Sequence, residues 1–302
     1  MSTFSLEYAL VDVFAEQPLE GNMLAIFTDA RGLSTEQMQA LARETNLAET
    51  TFILPASNPG QESTEGVRVR IFTTQEELHF AGHPTLGTAS WLHFHHPVLR
   101  GSQSITLALN VGPISVRFQP QQPGIPGVFA TMKQGDPTFG RVYQTTEIAS
   151  LFNMQVEDFD PVHPIQTVST GMPFCIVLMR SLSALQRLEI PQAAANAWLA
   201  KSDAKFFYCI APAQTPGVHF HARMQFYNGE DPATGSAAGC AISWLVRHGL
   251  VASAQPILIE QGIEIRRPSL LHVQAKRNED KIFDVFVGGR TIHVASGRFL
   301  LP

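Results

Sequence analysis

Two periodicities run through this chain of 302 residues. Segments such as EYALVDVF (7–14), VRVRIF (67–72), PISVRF (113–118) and LLHVQA (270–275) alternate apolar with polar positions. Successive side chains of an extended backbone point to opposite faces, so this alternation predicts half-buried antiparallel strands. NMLAIF, TTFILP, SITLAL, CIVLM, KFFYCIA, HFHARMQF, PILIE, FDVFVGG and TIHVASGRFLL read as further strands. Helical spacing is rarer and predicts helices over 34–43, 84–95, 145–152, 192–201 and 236–248. The first opens with Ser34 and Gln37 in capping-box spacing and with Leu33 and Met38 placed as a staple. The last closes on Gly249, which suits the left-handed cap position. Many strands with few helices predict an α+β fold.

The proline- and glycine-rich segment QPQQPGIPG (119–127) reads as a linker, giving expected domains of 1–122 and 128–302. The last strand has the option of returning to the first domain. Shifting the sequence by 153 places Arg70 on Arg223, Glu77 on Glu230, Gly82 on Gly235, and Ser90-Trp91-Leu92 on Ser243-Trp244-Leu245. Strand, acidic turn, glycine and helix recur in one order, which reads as a degenerate duplication with one copy per domain.

Composition removes several classes of function. Hydrophobic residues are 44% of the chain and charged ones 16%, so a large core is expected. With a formal charge of −5 and no basic run, neither nucleic acid nor an anionic membrane is an expected partner. No stretch approaches the ~18 apolar residues of a membrane span, and the N-terminus lacks a basic region leading into an apolar core. Cys175, Cys209 and Cys240 stand far apart, in neither disulfide nor zinc spacing, which suits a reducing cytoplasm.

The chemistry gathers at the two glycines that open helices. A helix N-terminus offers unpaired N–H groups and the positive end of the dipole, and Gly82 and Gly235 would admit a carboxylate close to the backbone. Taken alone, Asp231 and Ser236 in GEDPATGSAAG (229–239) suit an ordinary helix cap; the paired recurrence points instead to a site. Glu49, ahead of an apolar strand, reads either as a solvated loop residue or as a carboxylate that exchanges protons near neutrality inside a closed cleft. His83, between Gly82 and Pro84, loses basicity at a helix start and can relay a proton. The histidines at 93, 95, 96, 219 and 221 lack zinc-site spacing, so no metal is expected. Neither G-x-G-x-x-G nor a P-loop is present, and no cofactor is expected.

With these residues assembled, the sequence resembles the phenazine biosynthesis PhzF-like isomerase family, within the diaminopimelate epimerase-like superfamily. The resemblance rests on VDVFAEQPLEGNMLAIF (11–27), ETNLAETTFILP (44–55), VRIFTTQEELHFAGHPTLGTA (69–89), VSTGMPF (168–174), GEDPATGSAAG and EQGIEIRRPSLLHV (260–273). It implies two pseudo-symmetric domains, each a curled, mainly antiparallel sheet around a central helix, with the active site between them. It implies that Glu49 is the general acid/base, and that His83, Asp231 and Ser236 line the same site. Asn22, Gly82, Thr234 and Gly235 are expected to touch substrate. The superfamily's epimerases carry a cysteine at each helix mouth, whereas here His83 and Ser236 stand there. A single carboxylate moving a proton along one face is therefore expected, rather than stereoinversion by two thiols. The departures are Met23 after Asn22 and His79 before FAGHP, where proline would be usual. The expectation is a cytoplasmic, cofactor-independent isomerase of a small anionic metabolite, working as a homodimer. The rival expectations are a non-catalytic protein that binds such a metabolite and, more weakly, a metal-dependent hydrolase.

Overall fold

A computed structural model describes residues 4–226 and 229–301. The chain forms two compact units, Met1–Lys133 with Gly288–Pro302, and Gln134–Val287. In chain order the first holds β1 (Phe4–Val13), β2 (Asn22–Phe27), α1 (Thr35–Thr45), β3 (Glu49–Leu54), α2 (Glu62–Glu65), β4 (Val67–Phe72), β5 (Glu77–Leu78), α3 (Gly82–His95), β6 (Ser104–Leu109), β7 (Gly112–Phe118) and β8 (Val128–Lys133). The second begins with β9 (Thr138–Tyr143), α4 (Thr145–Phe152), β10 (Ile165–Ser169), β11 (Pro173–Leu178), α5 (Leu182–Gln186) and α6 (Gln192–Leu199). It continues with β12 (Phe206–Pro212), β13 (Phe220–Arg223), β14 (Gln225–Phe226), β15 (Gly229–Glu230), α7 (Gly235–Arg247), β16 (Ile257–Gln261) and β17 (Ser269–Asn278). The long β18 (Lys281–Leu301) leaves the second unit at Val287 and ends in the first, where it pairs with β1.

Each unit repeats one order of strand pairing. In the first, β1–β2 is antiparallel, β2–β3 parallel, β3–β4 antiparallel, β4–β6 parallel and β6–β7 antiparallel. In the second, β10–β11, β11–β12, β12–β13, β13–β16 and β16–β17 follow the same alternation. The shift of 153 carries Val67 onto Phe220, Gly82 onto Gly235 and Ser104 onto Ile257, which open β4 and β13, α3 and α7, and β6 and β16. In both units the second parallel connection is the buried helix. Parallel neighbours need a crossover, and here the helix supplies it.

Helix α3 is buried from Gly82 to Ser90, and α7 from Gly235 to Val246. A helix enclosed on every side shows no polar stripe, and small residues let the sheet close on it. A Cβ added to Gly87 would lie 2.7 Å from Leu24, 2.8 Å from Val13 and 3.2 Å from Val11. The two tryptophans differ: Trp244 is fully buried, whereas Trp91 is partly exposed and stacks on His95. Helix α1 forms as its sequence predicts. Ser34 accepts from the Gln37 N–H while its own N–H donates to Gln37 Oε1, and Leu33 packs against the cluster that holds Met38.

Other elements differ from the expectations. VFATMK, TFGRVY and IQTVS form the unforeseen strands β8, β9 and β10. β9 ends its sheet and is mostly exposed, so it lacks the apolar alternation of a half-buried strand. The segments FDVFVGG and TIHVASGRFLL are one strand, because Gly288 admits a close neighbour rather than a turn: its Cβ would lie 2.5 Å from Thr131 Cγ2. The segment 119–127 connects β7 to β8 inside the first unit, with Gln119 N–H donating to Phe129 O. Gly127 is packed there, since a Cβ on it would lie 2.0 Å from Thr291 O. The units divide instead at Lys133/Gln134 and again at Val287/Gly288. Among the described residues, no helix is long and apolar enough to cross a membrane.

Gly87→Ala tests the closeness of helix and sheet. Alanine improves helix propensity by up to ~1 kcal/mol, but overpacking costs about 1–3 kcal/mol. The crowding by Leu24 and Val13 decides the sign. A net loss of about 1–2 kcal/mol is expected, read as a lower urea midpoint at unchanged slope. An equal or higher midpoint would show that the sheet yields.

Candidate active site

In the first unit three elements begin side by side. Glu49 is the first residue of β3 and Asn22 the first of β2, and His83 lies in the first turn of α3. Gly21, with φ +70°, turns the chain into β2; a side chain there would meet Val13 O at 2.4 Å. Ala81 precedes α3 in extended conformation, and no side chain caps the helix.

His83 is buried, with Asn22 Nδ2 3.2 Å from its Nδ1. The two ring nitrogens face different groups: Nδ1 lies beside the Asn22 amide, and Nε2 is on the Glu49 side. That Nε2 lies 3.6 Å from Glu49 Oε2, too far for a formed hydrogen bond but close enough to form one after a small movement. Burial pushes His83 down to about 3, and a backbone hydrogen bond at Met23 works weakly in the opposite direction. The carboxylate thus faces a neutral imidazole rather than a cation.

In the second unit the acidic turn leads into α7. Asp231 is buried; its N–H donates to Met224 O at 2.9 Å, and its Oδ2 accepts from Thr234 Oγ1 at 2.6 Å. Thr234 is the N-cap of α7 but makes no side-chain capping bond, because its hydroxyl is turned to Asp231. The N-cap position thus falls to Thr234 rather than to Asp231 or Ser236. Ser236 is buried in its first turn behind Gly235. A Cβ on Gly239 would strike Gln134 Oε1, and the same glutamine donates to Gly235 O at 2.9 Å.

One brace occurs in both units. Arg70 holds Glu77 through Nε at 2.8 Å and Nη2 at 2.5 Å, ahead of α3. Arg223 holds Glu230 through Nε at 2.9 Å and Nη2 at 2.7 Å, ahead of α7. A two-point guanidinium–carboxylate contact fixes orientation as well as distance. Arg223 also donates to the carbonyls of Leu185, Gln186 and Leu188.

The predicted residues thus fall into two groups. Asn22, Glu49, Gly82 and His83 meet in the first unit, and Asp231, Thr234, Gly235 and Ser236 in the second. Sequence reasoning gave no role to Arg70 and Arg223, although the 153-residue shift aligned them with their glutamates. Gln134 and Gln261 went unseen, since a buried glutamine leaves no periodic signal.

The other reactive side chains have separate explanations. His96 meets Glu62 at 2.8 Å, His93 meets Ser102 O at 3.0 Å, and His219 accepts from the Leu258 N–H. Among the described residues, no group of three or more His, Cys, Asp or Glu could hold a metal ion. His221 is buried between Glu260 (2.9 Å) and Glu264 (3.0 Å). Burial alone would lower its basicity, but its hydrogen bonds to Glu264 and Glu260 outweigh that and raise it. All three cysteines are buried and free, with thiols raised by burial, Cys240 to about 11. None lies at a helix mouth.

The model of a family described as phenazine biosynthesis-like protein matches residues 11–297. A trans-2,3-dihydro-3-hydroxyanthranilate isomerase of Pseudomonas chlororaphis is 35% identical over 97% of this chain and 99% of its own. A solved structure from Pseudomonas aeruginosa, described as a predicted epimerase, superposes with TM-score 0.83 at 36% identity, covering 98% of this chain and all of its own. A hydroxyproline epimerase from Agrobacterium vitis shares the fold alone, with TM-score 0.66 at 11% identity, covering 100% of this chain and 93% of its own. The chain belongs to the phenazine biosynthesis-like family, and the protein is an isomerase.

Two measurements check the site's electrostatics. In histidine NMR of the native protein, His83 is expected to stay neutral from pH 5 to 8, while His221 is still protonated at pH 6.5. The unfolded chain takes up a proton at position 83 near pH 6.5. The folded chain refuses it until about pH 3, so His83 makes acidification through that window destabilising. His221 has the opposite sign: its contribution is full at low pH and is lost as pH rises through its raised folded value. Titration of His83 near 6.5 would contradict its burial. Separately, the native protein is expected to resist thiol alkylation, with all three cysteines reacting only after denaturation; a thiol modified in the native state would contradict the packing.

Proposed function

We propose that this isomerase moves a proton within a small carboxylate-bearing metabolite, without a cofactor, and that Glu49 carries the proton. The observation that carries this reading is the carboxylate of Glu49 beside a histidine kept neutral by burial. A carboxylate so placed can take a proton from a carbon whose anion is delocalised and return it at another carbon on the same face. His83 stands beside the carboxylate as a neutral imidazole, with Nε2 toward it. The uncapped starts of α3 and α7 suit the substrate's carboxylate, since each offers backbone N–H groups and the positive end of a helix dipole. In this reading both helix mouths close on one ligand. Asp231 then holds the substrate's amino or hydroxyl group, and Ser236 assists. The Pseudomonas chlororaphis relative makes trans-2,3-dihydro-3-hydroxyanthranilate the first compound to try.

The test is incubation of that compound, and of a metabolite extract, with the protein in D₂O. Deuterium gain is followed by mass spectrometry with Glu49→Gln as control. Label should enter with the wild type and slow by about 100- to 10,000-fold in the variant. Equal labelling by both proteins would remove Glu49 from the mechanism. Binding without label would favour a non-catalytic binding protein.

A further inference from the structure

Gln261 ends β16 and is fully buried beside the turn that carries Asp231. Its amide makes four hydrogen bonds, two on each side. Oε1 accepts from the Thr234 N–H at 3.1 Å and from the Tyr208 hydroxyl at 3.1 Å. Nε2 donates to Asp231 O at 2.8 Å and to Thr234 Oγ1 at 2.9 Å. The amide cannot be reversed, because a backbone N–H can only donate and requires an oxygen opposite it. Burial holds the Tyr208 phenol protonated, so it too donates.

This orientation has a consequence one bond further on. Thr234 Oγ1 receives the Gln261 N–H, so its own hydrogen must point elsewhere. Two acceptors lie in reach, Asp231 Oδ2 at 2.6 Å and Met224 Sδ at 3.3 Å. A carboxylate is a far stronger acceptor than a thioether, and the shorter contact is the charge-assisted one. We infer that Gln261 is a positioning residue for Asp231: through Thr234 it commits the carboxylate oxygen Oδ2 to an internal donor and so fixes the orientation of the carboxylate. The ligand group that suits a carboxylate so oriented is a hydrogen-bond donor, an ammonium or a hydroxyl. As a statement about catalysis this rests on the isomerase reading; the relay itself does not.

The backbone supports the arrangement. Gly262, directly after Gln261, has φ +78°, and a Cβ there would lie 2.4 Å from Arg267 O and 2.6 Å from Pro232 O. The strand end carrying Gln261 is thus packed against the turn it orients, and only glycine permits the approach.

The test reads Asp231 without substrate. The ¹³Cγ signal of Asp231 is titrated in the full chain for wild type, Gln261→Met, Thr234→Val and Thr234→Ser, with circular dichroism confirming that each is folded. A donor to the ionised form lowers the titration midpoint, so Gln261→Met and Thr234→Val should each move it up by about one pH unit. Thr234→Ser, which keeps the hydroxyl, should hold it near the wild-type value. An unchanged midpoint in folded Thr234→Val overturns the relay, and a shift there without one in Gln261→Met removes Gln261 from it. If Gln261→Met does not fold, the valine and serine pair still decides the last link. An inactive protein with the expected midpoints would sink the isomerase reading and leave the relay standing.

Discussion

Enclosing a helix on every side is the constraint from which the candidate site follows. Helices α3 and α7 give almost all their side chains to packing, so chemistry is left to their first turns and to the strands that begin beside them. Close packing demands small residues, which GHPTLGTAS and GSAAGCAIS supply. Glycine at the start of each helix leaves the backbone there without a side chain. The candidate functional positions are therefore backbone mouths with a few side chains around them.

Such mouths hold their shape only if the turns leading to them are rigid, and rigidity here comes from buried polar groups with nearly complete partners. A buried polar group left unpaired costs about 1–3 kcal/mol, so a fully bonded amide such as Gln261 strongly prefers one arrangement. The same holds for the duplicated arginine–glutamate braces. Their net stabilisation is modest, since desolvation offsets much of the attraction, but they fix the direction in which each acidic turn leaves its strand. Among the described residues five buried polar atoms lack a hydrogen-bond partner, and one of them, Nε2 of His83, lies 3.6 Å from the Glu49 carboxylate.

The two copies keep the frame and differ in what they present. Pairing order, brace and buried helix recur, while one mouth offers a neutral imidazole beside a carboxylate and the other a serine behind a carboxylate-bearing turn. Thiols are absent from both, and the three cysteines are inert core residues. Proton transfer by a single carboxylate suits this asymmetry better than a symmetric pair of bases.

Much of this was legible in the sequence. Strand alternation, the Ser34 capping box and the repeat at a spacing of 153 are local patterns, set by the period of the backbone and the reach of a few residues. His83, Asp231 and Ser236 stood out because they punctuate those patterns, whereas Glu49 was singled out only by the family resemblance. The rest depended on contacts between residues far apart in sequence. The exposed edge strand β9 has no apolar alternation to betray it. Gly288 and Gly127 look like turns until the chain that lies against them is known. Gln261 lies 27 residues from Thr234, and its four bonds exist only once β16 runs beside the acidic turn. Sequence determined the elements and the candidate chemistry, because both are encoded locally. Tertiary structure alone decided which buried polar groups orient them, because a hydrogen bond between distant residues leaves no period to read.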